Sequence, residues 1–414
     1  LANPWMPLRL SKGLSMSQDL KITHTPQPKH KLTLTIALFS GLALFTAQNA
    51  FANSQSTLLS HAGLENSQNV LKPNTTDKTE LSQSDVAQLI QHNLETHLYT
   101  LPPRVQGHYG IRLYRLTGDE QYANAALVDL YAVTEAQAFY ACQVDNPEFV
   151  RQASENAIAE LGNGPRAKAR KKALAPFPEF LFYSDVLLRF ASRIDELGFT
   201  GPCHSQMIQA LKKVDLRQGL TDPAMIKGWA AQLINYVYWA KQLGVGDYLE
   251  DYKTAFTQVY PDAQDTKLSK AQFRNKLYGM THFIFAASEY YQHWVNATEF
   301  AWILDYFDAN IERILQDATD DIIAEVGISF LLAGKTDHPV VAQTRAYIAN
   351  SFDANSQIIP SPKGNPDLAL GEHRNVLAIM LLNWPETLNP GPYLNELNTT
   401  KKYLPMGVTP KAID

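Results

Sequence analysis

The stretch that decides the fold is Thr319–Phe352, TDDIIAEVGISFLLAGKTDHPVVAQTRAYIANSF, which reads as a helical hairpin. From Asp321 to Ala333 the residues are apolar on nearly every side, with Asp320, Asp321 and Glu325 confined to the first two turns, as in a helix buried all round. In the second half, Val341, Thr344, Ile348 and Phe352 share one face of a 3.6-residue period while Gln343 and Asn350 turn away, which suits a helix laid outside the first. Gly334 is a natural helix stop, and Asp337 stands where it can cap the helix that Pro339 opens.

The same alternation recurs on both sides of this hairpin. After a first helix over Ser84–Tyr99, predominantly apolar helices are predicted from near Arg104, Phe180, Ala224, Lys270, Asp321 and Ala369, with mostly amphipathic ones between them. Turns at Gly118-Asp119, Gly246-Asp247 and Gly334–Asp337 join the two kinds, a degenerate repeat of roughly 45 to 65 residues. No run rich in Val, Ile or Thr alternates with period two, which leaves little room for a sheet. The expected fold is all-α. An α/α toroid of about six inner and six outer helices over residues 84–384 fits both patterns, and an open helical solenoid shows the same hairpins without closure. The Pro-, Asn- and Gly-rich segment 385–414 is expected to wrap the surface.

Residues 1–52 stand apart. Lys29, His30 and Lys31 precede an apolar run from Leu32 to Ala47 and then Ala50-Phe51-Ala52, which reads as a secretory signal peptide cleaved after Ala52. The expected location is therefore the periplasm or the medium. The tract before Lys29 is long for a signal peptide and contains Met6 and Met16, at either of which translation can begin. The apolar run is short and interrupted by Thr, and no later segment offers roughly 20 uninterrupted apolar residues, so no membrane span is expected after cleavage. Residues 53–83, rich in Ser, Asn, Thr and Gln, read as a flexible leader.

The 414 residues are 45% hydrophobic, enough for a substantial core. Residues 1–52 hold five Lys or Arg and one Asp, which leaves 31 basic and 40 acidic side chains and a formal charge of −9, against −5 for the whole chain. That balance argues against a nucleic-acid partner. Cys142 and Cys203 fit either a disulfide formed in an oxidising compartment or two buried thiols. The one strong basic run, Arg166, Lys168, Arg170, Lys171 and Lys172, reads as a solvated loop or short surface helix, or as a clamp for an anion.

If the inner helices run the same way, their N-terminal ends gather at one pole, where the converging dipoles favour anionic groups. Counting back from the helix ends puts His108, Glu325 and His373 at similar heights, with His282 and Asp185 comparably placed on their own helices and Gln232 and Trp229 on the third. Glu325 sits between Ala324 and Val326, where a wet face is not expected; a buried Glu needs a partner or stays protonated, and either state serves proton transfer. The catalytic candidates are Glu325, His282, His373, Asp185 and Asp321. The substrate-binding candidates are His108, Tyr109, Trp229, Gln232, Tyr278, Glu372 and Arg374, among them the aromatic rings of a height to stack on a sugar. Each has a structural alternative: Asp320 and Asp321 as helix-start residues, His282 as a satisfied core histidine, Glu372–Asn375 as a helix start paired to its loop, and Gly107-His108-Tyr109-Gly110 as a close helix contact. Three imidazoles and a carboxylate are acceptable zinc ligands, but no short metal-binding spacing such as HExxH is present, and no metal or cofactor is expected. Nucleophile-elbow, P-loop and dinucleotide motifs are likewise missing from the sequence.

The segment RLYRLTGDEQYANAAL, Arg112–Leu127, resembles the hairpins of α/α-toroid carbohydrate-active enzymes, glycoside hydrolases and polysaccharide lyases among them. More specifically, HYGIRLYRLTGD (His108–Asp119), YGMTHFIFAASEYY (Tyr278–Tyr291) and GEHRNVLAIMLLNW (Gly371–Trp384) resemble a family of uncharacterised bacterial exported proteins, the domain of unknown function 3541. The first resemblance implies a toroid, and with the polar pocket it makes the expected function a periplasmic glycan-acting enzyme, hydrolase or lyase, with a carbohydrate ligand; the alternative is a non-catalytic toroid that binds an envelope ligand or a protein partner, and neither resemblance supplies an acid–base pair that maps onto positions here.

Overall fold

The computed structural model describes residues 81–411, which are built almost wholly of helices. The expected signal peptide and the leader up to Glu80 lie outside the described residues. Helix α1 (Gln83–His97) opens on a capping box, in which the Ser82 side chain accepts from the Asp85 amide and the Asp85 carboxylate from the Ser82 amide. A hairpin of α2 (Pro103–Thr117) and α3 (Ala123–Ala141) follows, turned by Gly118 at φ 72°. Then come α4 (Pro147–Ala159), α5 (Pro165–Leu174), and a π-helical segment, Phe182–Leu188, that continues as α6 (Arg189–Glu196). Beyond α7 (His204–Leu211) and α8 (Leu216–Thr221), hairpins pair α9 (Pro223–Gln242) with α10 (Leu249–Val259), α11 (Lys270–Ala287) with α12 (Ala301–Ala309) and α13 (Ile311–Asp317), and α14 (Asp320–Leu332) with α15 (Pro339–Asn350). The last helix is α16 (Leu368–Leu382).

The six apolar helices are α2, α6, α9, α11, α14 and α16, and they pack in a defined order. Helix α2 lies against α16, α16 against α14, α14 against α11, α11 against α9, and α9 against α6, while α3 touches both α2 and α6. In α14 every residue from Ile322 to Leu332 is buried, because the sequence offers no wet face there, whereas α15 buries only Val340, Val341, Thr344 and Ile348. One local expectation needs correction. His338, not Asp337, caps α15, its Nδ1 accepting from the Val340 amide at 3.3 Å, because Pro339 takes the first helical position and leaves the cap to the residue before it. In the turn that contains Gly246-Asp247, the left-handed residue is Gly244 at φ 64°.

The glycines of the segment Gly107–Gly110 bring α2 and α3 together. A Cβ on Gly107 would overlap Asp129, and one on Gly110 would lie 2.6 Å from the Tyr122 carbonyl oxygen. The basic run forms α5, a helix whose Arg170 is buried. Cys142 and Cys203 are joined in a disulfide, Cα atoms 5.2 Å apart, that ties the end of α3 to the start of α7. The segment after Pro385 has no helix, yet it is held firmly: Leu394 is fully buried with Ile111, Leu130, Ile194 and Phe199, and strand β1 (Phe199–Thr200) pairs antiparallel with β2 (Thr409–Pro410). No helix among the described residues is long and apolar enough to cross a membrane.

Candidate functional site

Four helices deliver their polar residues to one buried junction. From α2, the His108 Nδ1 lies 2.8 Å from the Glu372 carboxylate of α16, and its ring centroid is 5.3 Å from that of His373. The Nε2 of His373 is 3.5 Å from Glu325 Oε1 on α14, and Nε2 of His282 on α11 is 3.9 Å from the same oxygen. The other Glu325 oxygen accepts from the Thr281 hydroxyl at 2.7 Å. On the far side, His282 Nδ1 is 3.1 Å from Asn235 Oδ1 of α9. An amide oxygen only accepts, so the His282 proton sits on Nδ1 and the Nε2 lone pair faces Glu325. The structure thus brings together His108, His282, Glu325, His373 and Glu372, five residues predicted from sequence.

Burial governs their charges. Glu325, with no exposed surface, is pushed up to about 7, against which the neighbouring His282, the Thr281 hydroxyl and Arg112 pull only weakly. Burial likewise lifts Glu372 to about 8 and lowers His282 to about 4; it also lowers His108 and His373. The contacts at 3.5 and 3.9 Å are therefore not ion pairs at neutral pH: a carboxyl near half-protonation faces neutral imidazoles. Glu325 Oε1 and both ring nitrogens of His373 are buried with no hydrogen-bond partner among the described residues. Such groups cost free energy unless a water or a ligand meets them.

The remaining candidates divide. Asp185 accepts from the Tyr236 hydroxyl at 2.9 Å and stands 3.7 Å from Arg189, within the π-helical segment, a distortion frequent at functional sites. Gln232 accepts from Arg170, whose guanidinium lies 4.1 Å from the ring centroid of Trp229 and also donates to the Gly228 carbonyl oxygen, which the kink of α9 at Trp229 leaves open. The Tyr278 hydroxyl donates to Asp321, one turn before Glu325. Two candidates face elsewhere. Tyr109 is fully buried against α1, its hydroxyl donating to Glu95 at 3.0 Å, because it is about 100° round the helix from His108. Arg374 is held by the Ile359 carbonyl oxygen at 3.2 Å and by Asp320 at 3.9 Å.

Three neighbouring hollows, adjoining through shared wall residues, approach this junction. A cavity of about 10 Å³, room for one water, is lined by Asp185, Gln232, Asn235, Tyr236 and His282 and shares Arg189 and Trp239 with a second of similar size. The second is walled by Arg104, Arg112, Arg115 and Arg193 and shares Glu196, Trp239 and Tyr290 with an open cleft of about 550 Å³. The cleft lies at the C-terminal ends of α6, α9 and α11, at the other end of the helices from the pole to which sequence heights pointed. Sequence reasoning missed these arginines and did not include Trp239 and Tyr290 among its candidates. A signal was present: Asp185, Arg189 and Arg193 recur every four residues along one face of their helix, and Arg112 is four residues after His108, on the same face.

Among the described residues no three His, Cys, Asp or Glu side chains are arranged to hold a metal ion. No curated protein and no solved structure matches the chain. The model of a family described as a domain of unknown function, DUF3541, matches residues 83–411, most of the chain, and the protein belongs to that family.

Proposed function

We propose that the protein is an exported, periplasmic or secreted α/α-toroid enzyme of a bacterium that acts on a glycan by acid–base chemistry at Glu325 and His282. The packing order of the six apolar helices supports the toroid, since α3 and the Arg115–Glu196 contact at 3.5 Å span the gap between α2 and α6, the first and last in that order. The observation that carries the chemistry is the junction itself, where a carboxyl titrating near 7 and two neutral imidazoles converge with orphaned polar atoms.

Of hydrolysis and elimination, the side chains favour the second. His282 is a free base at neutral pH with its lone pair turned inward, suited to take a proton from the carbon beside a sugar carboxylate. The electron pair of that C–H bond forms the new double bond, the glycosidic C–O bond breaks, and protonated Glu325 returns a proton to the leaving oxygen. Hydrolysis needs two carboxyl groups flanking one bond, and Asp321 is engaged by Tyr278. A second reading, a non-catalytic toroid that binds an envelope ligand or protein partner, is favoured by one observation: Glu325 is wholly buried and the hollow beside His282 has room for no more than about one water.

The test is a polysaccharide screen of the purified chain, following unsaturated products by ultraviolet absorbance and new reducing ends by colour, with Glu325→Gln and His282→Ala alongside. Turnover reduced about 10²- to 10⁴-fold in both variants is the expected result. Undiminished turnover in either refutes its assigned role, and binding of a glycan with no cleavage of any polymer establishes the second reading instead.

A further inference from the structure

We propose that the arginine-walled cavity is a receptor for the carboxylate of a uronic-acid residue whose sugar ring lies in the adjoining cleft, so that ligand enters at the C-terminal ends of α6, α9 and α11. This deepens the reading above by naming where the glycan is held: His282 lines neither the cavity nor the cleft, so this uronate occupies a subsite other than the one that reacts; the binding step stands without the chemistry.

Four of the five arginines around the cavity have carboxylates within ion-pair reach. Arg104 and Arg193 reach Asp129 at 3.4 and 3.5 Å, Arg193 and Arg115 reach Glu196 at 3.3 and 3.5 Å, and Arg189 stands 3.7 Å from Asp185. Arg112 differs. It is 4% exposed, its Nη1 donates to the backbone carbonyl of His108 at 3.2 Å, its guanidinium bonds the Tyr291 side chain and lies 5.6 Å from that ring's centroid, and its Nε has no partner among the described residues. The carboxyls that feel its charge, Glu372 and Glu325, are both pushed toward the neutral form by burial. Five guanidinium groups thus meet three carboxylates. A buried cation left without a counter-charge is costly, and an oxyanion carried in by a ligand would remove that cost.

A second donor belongs to the same wall. Tyr290 lines the cavity, and its hydroxyl is buried with no partner among the described residues. Its position is enforced, because Glu289, Tyr290 and Tyr291 are three successive non-glycine residues with positive φ, at 50°, 56° and 77°. Each such residue is disfavoured by roughly 1–2 kcal/mol, so surrounding contacts must impose the shape. They do: Arg115 donates to the carbonyl oxygens of Glu289 and Tyr290, and the Ser288 hydroxyl oxygen accepts from the Tyr291 amide at 2.9 Å. The left-handed run turns the Tyr290 ring into the wall shared by cavity and cleft.

The cleft has the character of a sugar site. At about 550 Å³ it admits a disaccharide-sized ligand, and Tyr238, Trp239, Tyr290 and Tyr393 supply rings for apolar sugar faces, with Gln242 and Gln292 as polar contacts. The cavity beyond is too small for a ring but adjoins the cleft, so only a substituent of the ligand fits there. A planar carboxylate suits the forked donors of a guanidinium.

Titration calorimetry of the full chain at constant ionic strength tests this, with galacturonate and glucuronate oligosaccharides, the corresponding neutral oligosaccharides, and inorganic sulfate and phosphate as separate arms. The expected result is binding of a uronate oligomer, none of its neutral counterpart, a loss of about 10- to 100-fold in Arg112→Gln, and a smaller loss in Tyr290→Phe. Equal binding of the neutral sugar, uronate binding untouched by both substitutions, or binding of sulfate and phosphate but of no uronate would each overturn the proposal. Should Arg112→Gln fail to fold, Tyr290→Phe decides, since it deletes one hydroxyl and keeps the ring. Turnover of a neutral glycan, lost in Glu325→Gln, without uronate binding would sink this inference and leave acid–base chemistry at Glu325 as hydrolysis instead of elimination; uronate binding at Arg112 without turnover of any polymer sinks the chemistry and leaves this inference.

Discussion

Replacing Glu325 by Gln should make the protein more stable in mild alkali, by an amount that follows from its burial. In the folded chain burial pushes this carboxyl up from the ordinary 4.5 to about 7, so the folded state holds the proton more tightly than the unfolded one. Stability from this group is complete below about pH 4.5 and is lost as pH rises through 7. A displacement of this size corresponds to about 3 kcal/mol. The groups facing Glu325 are Thr281, His282, His373, Asp321 and Arg112, and all of them remain in the variant. Gln keeps the oxygen that accepts from Thr281 and cannot ionise. Urea denaturation of wild type and Glu325→Gln at a series of pH values from 4 to 8.5 reads the effect as a difference in unfolding free energy. That difference should move in favour of Gln by about 3 kcal/mol across the range. A difference constant to within about 0.5 kcal/mol would show that Glu325 is ionised when folded, paired with a charged histidine, and would remove the basis for its role as a proton donor.

Two further outcomes concern the frame around the site. Gly107→Ala should destabilise by about 1–3 kcal/mol, read from the urea midpoint, because its Cβ would overlap Asp129, which is fully buried and held by Arg104 and Arg193; an unchanged midpoint would mean that α2 and α3 are not in contact there. Removing the Cys142–Cys203 bridge with a double Ser variant should lower stability by roughly 2–4 kcal/mol, since it releases a loop of 61 residues' separation, while far-ultraviolet circular dichroism keeps its helical form.

Much of the helix order was legible because burial leaves a mark on composition. A helix such as α14, with no wet face, announces a central position, and counting turns back from the residues that end each helix aligned His108, Glu325 and His373 before any contact was known. Direction around the helix axis was harder. His108 and Tyr109 cannot both face inward, and nothing local says which does; the glycines at 107 and 110 decide it by drawing their own face onto α3. The arginines were misjudged for a related reason, since a guanidinium on an apolar helix is usually explained by an ion pair with a neighbouring carboxylate, and only the assembled structure shows that Arg112, near carboxyls held toward their neutral form, makes none among the described residues. The conformation of Tyr290 was out of reach, because Ser288-Glu289-Tyr290-Tyr291 contains neither Gly nor Asn to advertise a left-handed turn.

The hold that Arg115 keeps on both the Glu289–Tyr290 backbone and the Gly391 carbonyl oxygen has a consequence in time. Gln292 completes that latch by accepting from the Gly391 amide, and Tyr393 and Lys411 finish the cleft wall. These parts are separated by almost the whole folded chain, so during synthesis the six apolar helices are all available before the cleft can take shape. A chain still being made, or one trimmed after Trp384, would present its helices without the finished cleft. The cleft is therefore completed last and is the first feature that trimming of the C-terminal segment removes.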